Sequence, residues 1–237
     1  MEQLPQANSL SRNNLSNQIF HLIGNKIVHN DLKPGELIYE TQISKELGVS
    51  RSPVRDALRM LEQIWLVDRT PKGSYQVTEF SIEKIQHLYE TAIVIYQFVF
   101  AKAAENVTPN DITELGKLMT RVQLSIDGND VELYITNVTK MAHIVLKIAG
   151  NPMIERIATE LMPTAERVQW ASINCLPDQL ETVVTHLRKG YECIIRQKPE
   201  EAANAFKDFC TAHIEVILDS LNQAHDKNPA KKLDKAS

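Results

Sequence analysis

The sequence predicts a mainly α protein, an N-terminal winged helix-turn-helix followed by a C-terminal all-α helical bundle. Three observations carry this. Residues 42–77, QISKELGVSRSPVRDALRMLEQIWLVDRTPKGSYQV, read as two short helices broken at Gly48 and a β-hairpin turning at Pro71-Lys72-Gly73. Beyond Ser81 no alternating strand pattern occurs, and apolar residues recur at helical spacing. Thr108-Pro109, Gly150 and Lys198-Pro199 punctuate that second part as helix starts and stops.

In chain order, residues 1–14 are polar and expected to be a disordered arm. A first helix over about 15–30 carries a stripe of Ile19, Phe20, Leu22, Ile23, Ile27 and Val28, and Pro34-Gly35 lies in the loop that ends it. A second helix spans about 40–47 and stops at Gly48. The third starts at Ser50 or Ser52, accepts Pro53 because first-turn amides lack helical partners, and reaches about Trp65. Strands over 66–69 and 74–78 flank the Pro71-Lys72-Gly73 turn. The winged domain is thus expected over 15–78 and a linker over 79–82. Six helices follow, near 81–105, 109–126, 130–149, 151–171, 177–197 and 199–224, giving a helical domain over 83–224. Residues 225–237 are expected to be a disordered tail.

The chain has 237 residues and a net charge of −4. Residues 1–80 hold nine basic and nine acidic side chains, so the excess negative charge lies entirely in the helical part. Between Lys45 and Lys72, six basic residues stand against four acidic ones. Affinity for duplex DNA depends on such local patches rather than on the global sum, and a small patch gains from a second copy in a dimer. No run approaches the ~18 apolar residues of a membrane helix. The polar start lacks the apolar stretch of a signal peptide, so a cytoplasmic protein without a membrane partner is expected. Cys175, Cys193 and Cys210 are widely spaced, without CxxC, and are expected to be buried reduced thiols.

On the third helix Arg51, Arg55 and Arg59 are four apart, pointing at about 0°, 40° and 80°, while Val54, Ala57, Leu58 and Leu61 fall between about 240° and 340°. One face packs and the other is free, as a recognition helix requires; guanidinium forks match guanine O6/N7 or phosphate oxygens. Arg51 and Arg55 lie nearest the reading end; Arg59, further back, is expected to pack or pair with an acid. Ser50 and Ser52 can cap the helix or bond a phosphate. Lys72 and Gly73 form a wing tip able to approach the backbone.

In the helical part, His143, His186 and His213 fall on three different helices among apolar residues. Inward histidines of a bundle can converge on one ion, since imidazole suits Zn, Ni and similar metals. Taken singly, an inward histidine is more often a satisfied core residue.

LGVSRSPVRDALRMLE followed by RTPKGSYQV closely resembles the N-terminal domain of GntR-type bacterial transcription regulators. The helical remainder resembles the FadR-like subgroup, whose effector domain is an all-α bundle of the FCD type; the resemblance covers roughly residues 15–222. It implies that Arg51 and Arg55 are the base- and phosphate-contacting arginines and Gly73 the wing-tip glycine. Thr41 and Gln42 stand where the family often has an arginine early in the second helix, which leaves Thr41 as a weaker phosphate contact. Trp65 stands where the family usually has glycine. In the metal-binding members an aspartate and three histidines hold a divalent cation, and the resemblance matches those histidines to His143, His186 and His213. The aspartate position is Thr139, which supplies no anionic ligand. Ala92 and Tyr96 replace an arginine and a glutamate of the first effector-domain helix, so Tyr96 and Thr139 are the candidates for an altered effector pocket.

The expected function is a sequence-specific DNA-binding transcription regulator, a repressor rather than an enzyme. It would act as a homodimer on a palindromic operator, controlled by a small-molecule effector and a divalent metal such as Zn or Ni. Two other readings are a metal-dependent hydrolase using the three histidines, for which the sequence has neither HExxH nor a paired-carboxylate pattern, and a winged helix serving protein contacts.

Overall fold

A computed structural model describes residues 12–175 and 180–226. The expected arm and tail lie outside these, apart from their inner residues, which are helical. So does the side chain of Cys175. The chain divides into two compact units, one of residues up to Ser81 with Pro163–Arg167, the other of Ile82–Met162 with the residues from Val168 onward.

The first unit runs α1 (Arg12–Val28), β1 (Leu37–Ile38), α2 (Glu40–Leu47), α3 (Arg51–Gln63), β2 (Val67–Arg69) and β3 (Tyr75–Val77). Ile19, Ile23 and Ile27 of α1 are buried, as their spacing predicts, against Val54, Leu58 and Leu61 of α3 and Tyr75 and Val77 of the sheet. Phe20 packs against that core from its border, and Leu22 is only half-buried. The three strands are antiparallel in the order β1-β3-β2, with Ile38 opposite Tyr75 and Arg69 opposite Tyr75 on the other side. β1 was not expected; two residues carry no periodicity, and it exists because β3 offers it a free edge.

Both ends of the helix-turn-helix are closed by backbone chemistry. Gly48 takes φ 65°, and Val49 N–H bonds Ser44 C=O at 3.0 Å. At the end of α3, Leu66 N–H bonds Leu61 C=O at 3.0 Å and Trp65 N–H bonds Glu62 C=O at 3.1 Å. That is the paired-bond ending which demands a left-handed residue at Trp65. Trp65 adopts φ 60° and is 58% exposed. The turn is therefore built as glycine would build it, but with a Cβ in the left-handed region, a conformation costing about 1–2 kcal/mol.

Among the described residues the second unit holds six helices, α4 (Ile82–Asn106), α5 (Pro109–Asp127), α6 (Val131–Ala149), α7 (Pro152–Cys175, apart from its helical turn Pro163–Arg167), α8 (Leu180–Ile195) and α9 (Pro199–Asp226). Their starts follow the caps. Thr108 and Asp111 form a reciprocal capping box, Asp130 accepts from Leu133 N–H, and Asn151 accepts from Met153 and Ile154 N–H. α4 lies centrally and packs on α6, α8 and α9. The α4–α8 approach is close enough that a Cβ on Gly190 would sit 2.9 Å from Phe100 Cε1. Among the described residues no helix is long and apolar enough to cross a membrane.

Candidate nucleic-acid interface and helical core

α3 and the wing enclose one side of an open cleft of about 800 Å³, lined by Tyr39, Glu40, Thr41, Arg55, Arg59, Arg69, Lys72 and Gly73 among others. The apolar face of α3 (Val54, Ala57, Leu58, Leu61) is fully buried, so Arg51, Arg55 and Arg59 are all left exposed. Ser50 is the N-cap of α3, yet its hydroxyl makes no capping bond. Ser52 is half-buried beside it, and Thr41 is exposed in the first turn of α2. At the wing, Gly73 N–H bonds Thr70 C=O at 2.9 Å and Thr70 N–H bonds Ser74 C=O at 2.8 Å. Gly73 has φ 84° with nothing within 4 Å of where a Cβ would stand. The glycine is thus required by the turn, and the tip around Lys72 is open.

One expectation changes. Arg55, not Arg59, is the arginine bound to an acid. Arg55 Nε donates to Glu40 Oε1 at 3.0 Å and Oε2 at 3.1 Å, and Nη2 to Oε2 at 2.9 Å. These bonds raise the Arg55 pKa further above its ordinary value. Glu40 carries no sequence signal for this role, because it stands fifteen residues from Arg55 on another helix.

The helical unit does not assemble the expected metal site. Among the described residues no three His, Cys, Asp or Glu side chains gather closely enough to hold an ion. His143 and His186 are half-buried, whereas His213 is 1% exposed. His213 Nδ1 lies 2.9 Å from Tyr89 Oη and Nε2 lies 3.3 Å from Ser172 Oγ. Ser172 Oγ also donates to Gln169 C=O at 3.0 Å, so it accepts from Nε2–H, and Tyr89 O–H donates to Nδ1. The imidazole lone pair is thereby occupied. Burial lowers the His213 pKa to about 4 and pushes the Tyr89, Tyr134 and Tyr191 phenols and the Cys210 thiol up. Thr139, in place of an anionic ligand, adds nothing to offset a cation. Among the described residues the three imidazoles are therefore not gathered around a common ion position.

Of the two expected pocket residues, Tyr96 of α4 is buried and stacks on Phe206 of α9 at 4.9 Å between ring centroids. Thr139 is half-buried on α6. A residue outside the expectation is Asn137, on α6, which is 1% exposed with an Nδ2 that has no partner. Cys193 and Cys210 are buried free thiols, as anticipated.

Residues 15–77 match the family described as bacterial regulatory proteins, gntR family, and residues 87–215 match the FCD domain. The chain is 26% identical over 129 residues to an uncharacterized HTH-type transcriptional regulator, YdhC, of Bacillus subtilis, covering 54% of this chain and 58% of that one, less than two thirds of its length. It is 22% identical over 214 residues to the HTH-type transcriptional repressor RspR of Escherichia coli, covering 90% of this chain and 92% of that one. The solved structure of E. coli McbR/YncC shares the fold, with a TM-score of 0.76 at 19% identity over 88% of this chain and 99% of that one.

Proposed function

Since the chain belongs to the gntR family of bacterial regulatory proteins and carries an FCD domain, it is a DNA-binding transcription regulator and not an enzyme, and we propose that it represses by binding a palindromic operator as a homodimer under effector control. The observation that carries the DNA-reading site is the exposed row of Arg51, Arg55 and Arg59 beside a cleft that also holds Arg69 and Lys72. Arg51 and Arg55 contact bases and phosphates at the start of α3. Thr41, Ser50 and Ser52 offer hydroxyls to the phosphates flanking that helix end, and Lys72 and Gly73 bring the wing tip to the backbone. Two such units set about 34–36 Å apart address successive turns of one duplex face. Dimerisation is supported by apolar pairs left exposed at helical spacing, Val94 with Phe98 on α4 and Met153 with Ile157 on α7.

Effector control resides in the helical domain. Tyr96 and Thr139 in place of charged residues, with the Asn137 amide unpartnered, suit an uncharged ligand presenting acceptor oxygens. Such a ligand needs a differential affinity of about 1–3 kcal/mol between operator-bound and free protein to regulate. Titrating the full chain into labelled duplex, with Arg51→Ala and Arg55→Ala beside it, tests the reading. Each substitution is expected to weaken operator binding by about 1–3 kcal/mol. Unchanged binding by both variants would refute the assignment. Salt-insensitive association would point to a protein partner instead, because counterion release makes DNA binding fall steeply with salt.

A further inference from the structure

We propose that Glu40 sets the base specificity of this regulator by holding the Arg55 guanidinium as a preset fork. The inference rests on the reading of α3 as the DNA-reading helix and adds to it a residue of opposite charge.

Arg55 presents its side edge to Glu40. Nε–H and one Nη2–H point at the carboxylate, at 3.0, 3.1 and 2.9 Å. A guanidinium carries five N–H groups. The three that remain are the two on Nη1 and the outer one on Nη2. The end edge formed by Nη1 and Nη2 is therefore intact, with its parallel pair of donors, the pair that fits guanine O6 and N7. The Glu40 side chain is 20% exposed and that of Arg55 50%, so the anchored part is the inner one and the open part the outer. Glu40 is also held independently of Arg55. It is the first residue of α2, where a carboxylate faces the positive end of the helix.

Two consequences follow. The flexible arginine loses less rotamer freedom on binding, because its plane is already chosen. Its charge is also already matched, so it adds little to attraction for an arbitrary phosphate; the Glu40 carboxylate stands against the pull of Arg59, Arg69 and Lys72 in the same cleft. A correct base edge satisfies the fork, whereas a wrong one leaves the donors and the carboxylate without compensation. Glu40 is thus a positioning residue that trades general affinity for discrimination.

The test uses the full-length chain and a randomised duplex pool long enough for two half-sites about 10 base pairs apart. Affinity for the unselected pool, affinity for the sequence the wild type enriches, and the salt slope are measured for wild type, Glu40→Gln, Arg55→Ala and the double variant. Glu40→Gln is expected to bind the unselected pool more tightly by about twofold to fivefold, with a steeper salt slope. Its preference for the enriched sequence over the pool should fall by about tenfold. In the Arg55→Ala background, Glu40→Gln should leave that preference unmoved. Glu40→Asp, which keeps the charge but shortens the reach, should lower the preference without raising pool affinity. This variant decides the matter if Glu40→Gln does not fold. The proposal is overturned if Glu40→Gln keeps the wild-type preference, if it weakens both affinities alike, or if its effect persists without Arg55. A wild type that binds no duplex at all would instead overturn the DNA-reading assignment itself.

Discussion

Polar side chains stand in opposite states in the two units. Around the cleft of the first, Arg55, Arg59 and Lys72 are exposed, as is Arg51 on the same helix as the two arginines. In the core of the second, Tyr89, Tyr134, Tyr191 and His213 are sealed from water and uncharged. The difference follows from dielectric. Charges at a surface are cheap to keep, are screened by salt, and act on a partner's charge. Groups in a dry core stay neutral unless paired, and they answer only to a ligand that completes their hydrogen bonds. One unit presents its charges to solvent, the other keeps its polar groups neutral and enclosed.

The contrast is open to attack, most strongly through His213. Its folded pKa is about 4 against an ordinary 6.5, so between those values the unfolded chain binds a proton that the folded chain refuses. Stability is then full above about pH 6.5, falls as the pH drops toward about 4, and loses roughly 3 kcal/mol on the way. Denaturation free energies measured for wild type and for His213→Gln should diverge by that amount across this window; parallel curves would mean the core is not dry around this ring.

Each unit also holds a tight backbone position that a substitution can probe. Gly190→Ala pushes a methyl against Phe100 in the sealed core and is expected to destabilise by about 1–2 kcal/mol, the overpacking outweighing better helix propensity. Trp65→Gly, at an exposed turn, relieves the left-handed strain and should stabilise by about 1 kcal/mol, read as a higher denaturation midpoint. A loss of stability there would show that the indole packs more tightly than its exposure implies.

The smallest effect concerns metal. Adding zinc to the full chain should leave the thermal midpoint unmoved, since the imidazole of His213 is engaged by Tyr89 and Ser172. A rise of several degrees that disappears in His213→Ala would restore the three-histidine reading and end the contrast between a charged cleft and a neutral core.

Much of this architecture can be read along the chain. The bounds of α2 and the start of α3, the stop at Gly48, the apolar and basic stripes of α3, the glycine-tipped wing and the six later helices all follow from spacing and caps within a few residues of one another. The pieces that could not be read are those whose partners are distant. β1 is two residues long and exists through its pairing with β3. The left-handed turn at Trp65 comes from bonds back to Leu61 and Glu62, and overrides what the residue itself prefers. Sequence resemblance grouped three histidines, whereas packing joined His213 to Tyr89 and Ser172.

What the chain determines alone is periodicity, and with it which face of each helix is apolar and which carries arginine; that much requires only a local backbone of known pitch. Which acid meets Arg55, and which hydroxyls close around His213, is decided when helices far apart in sequence come within 3 Å or so of one another. Hydrogen bonds are short-ranged and directional, so no spacing along a single helix can announce them.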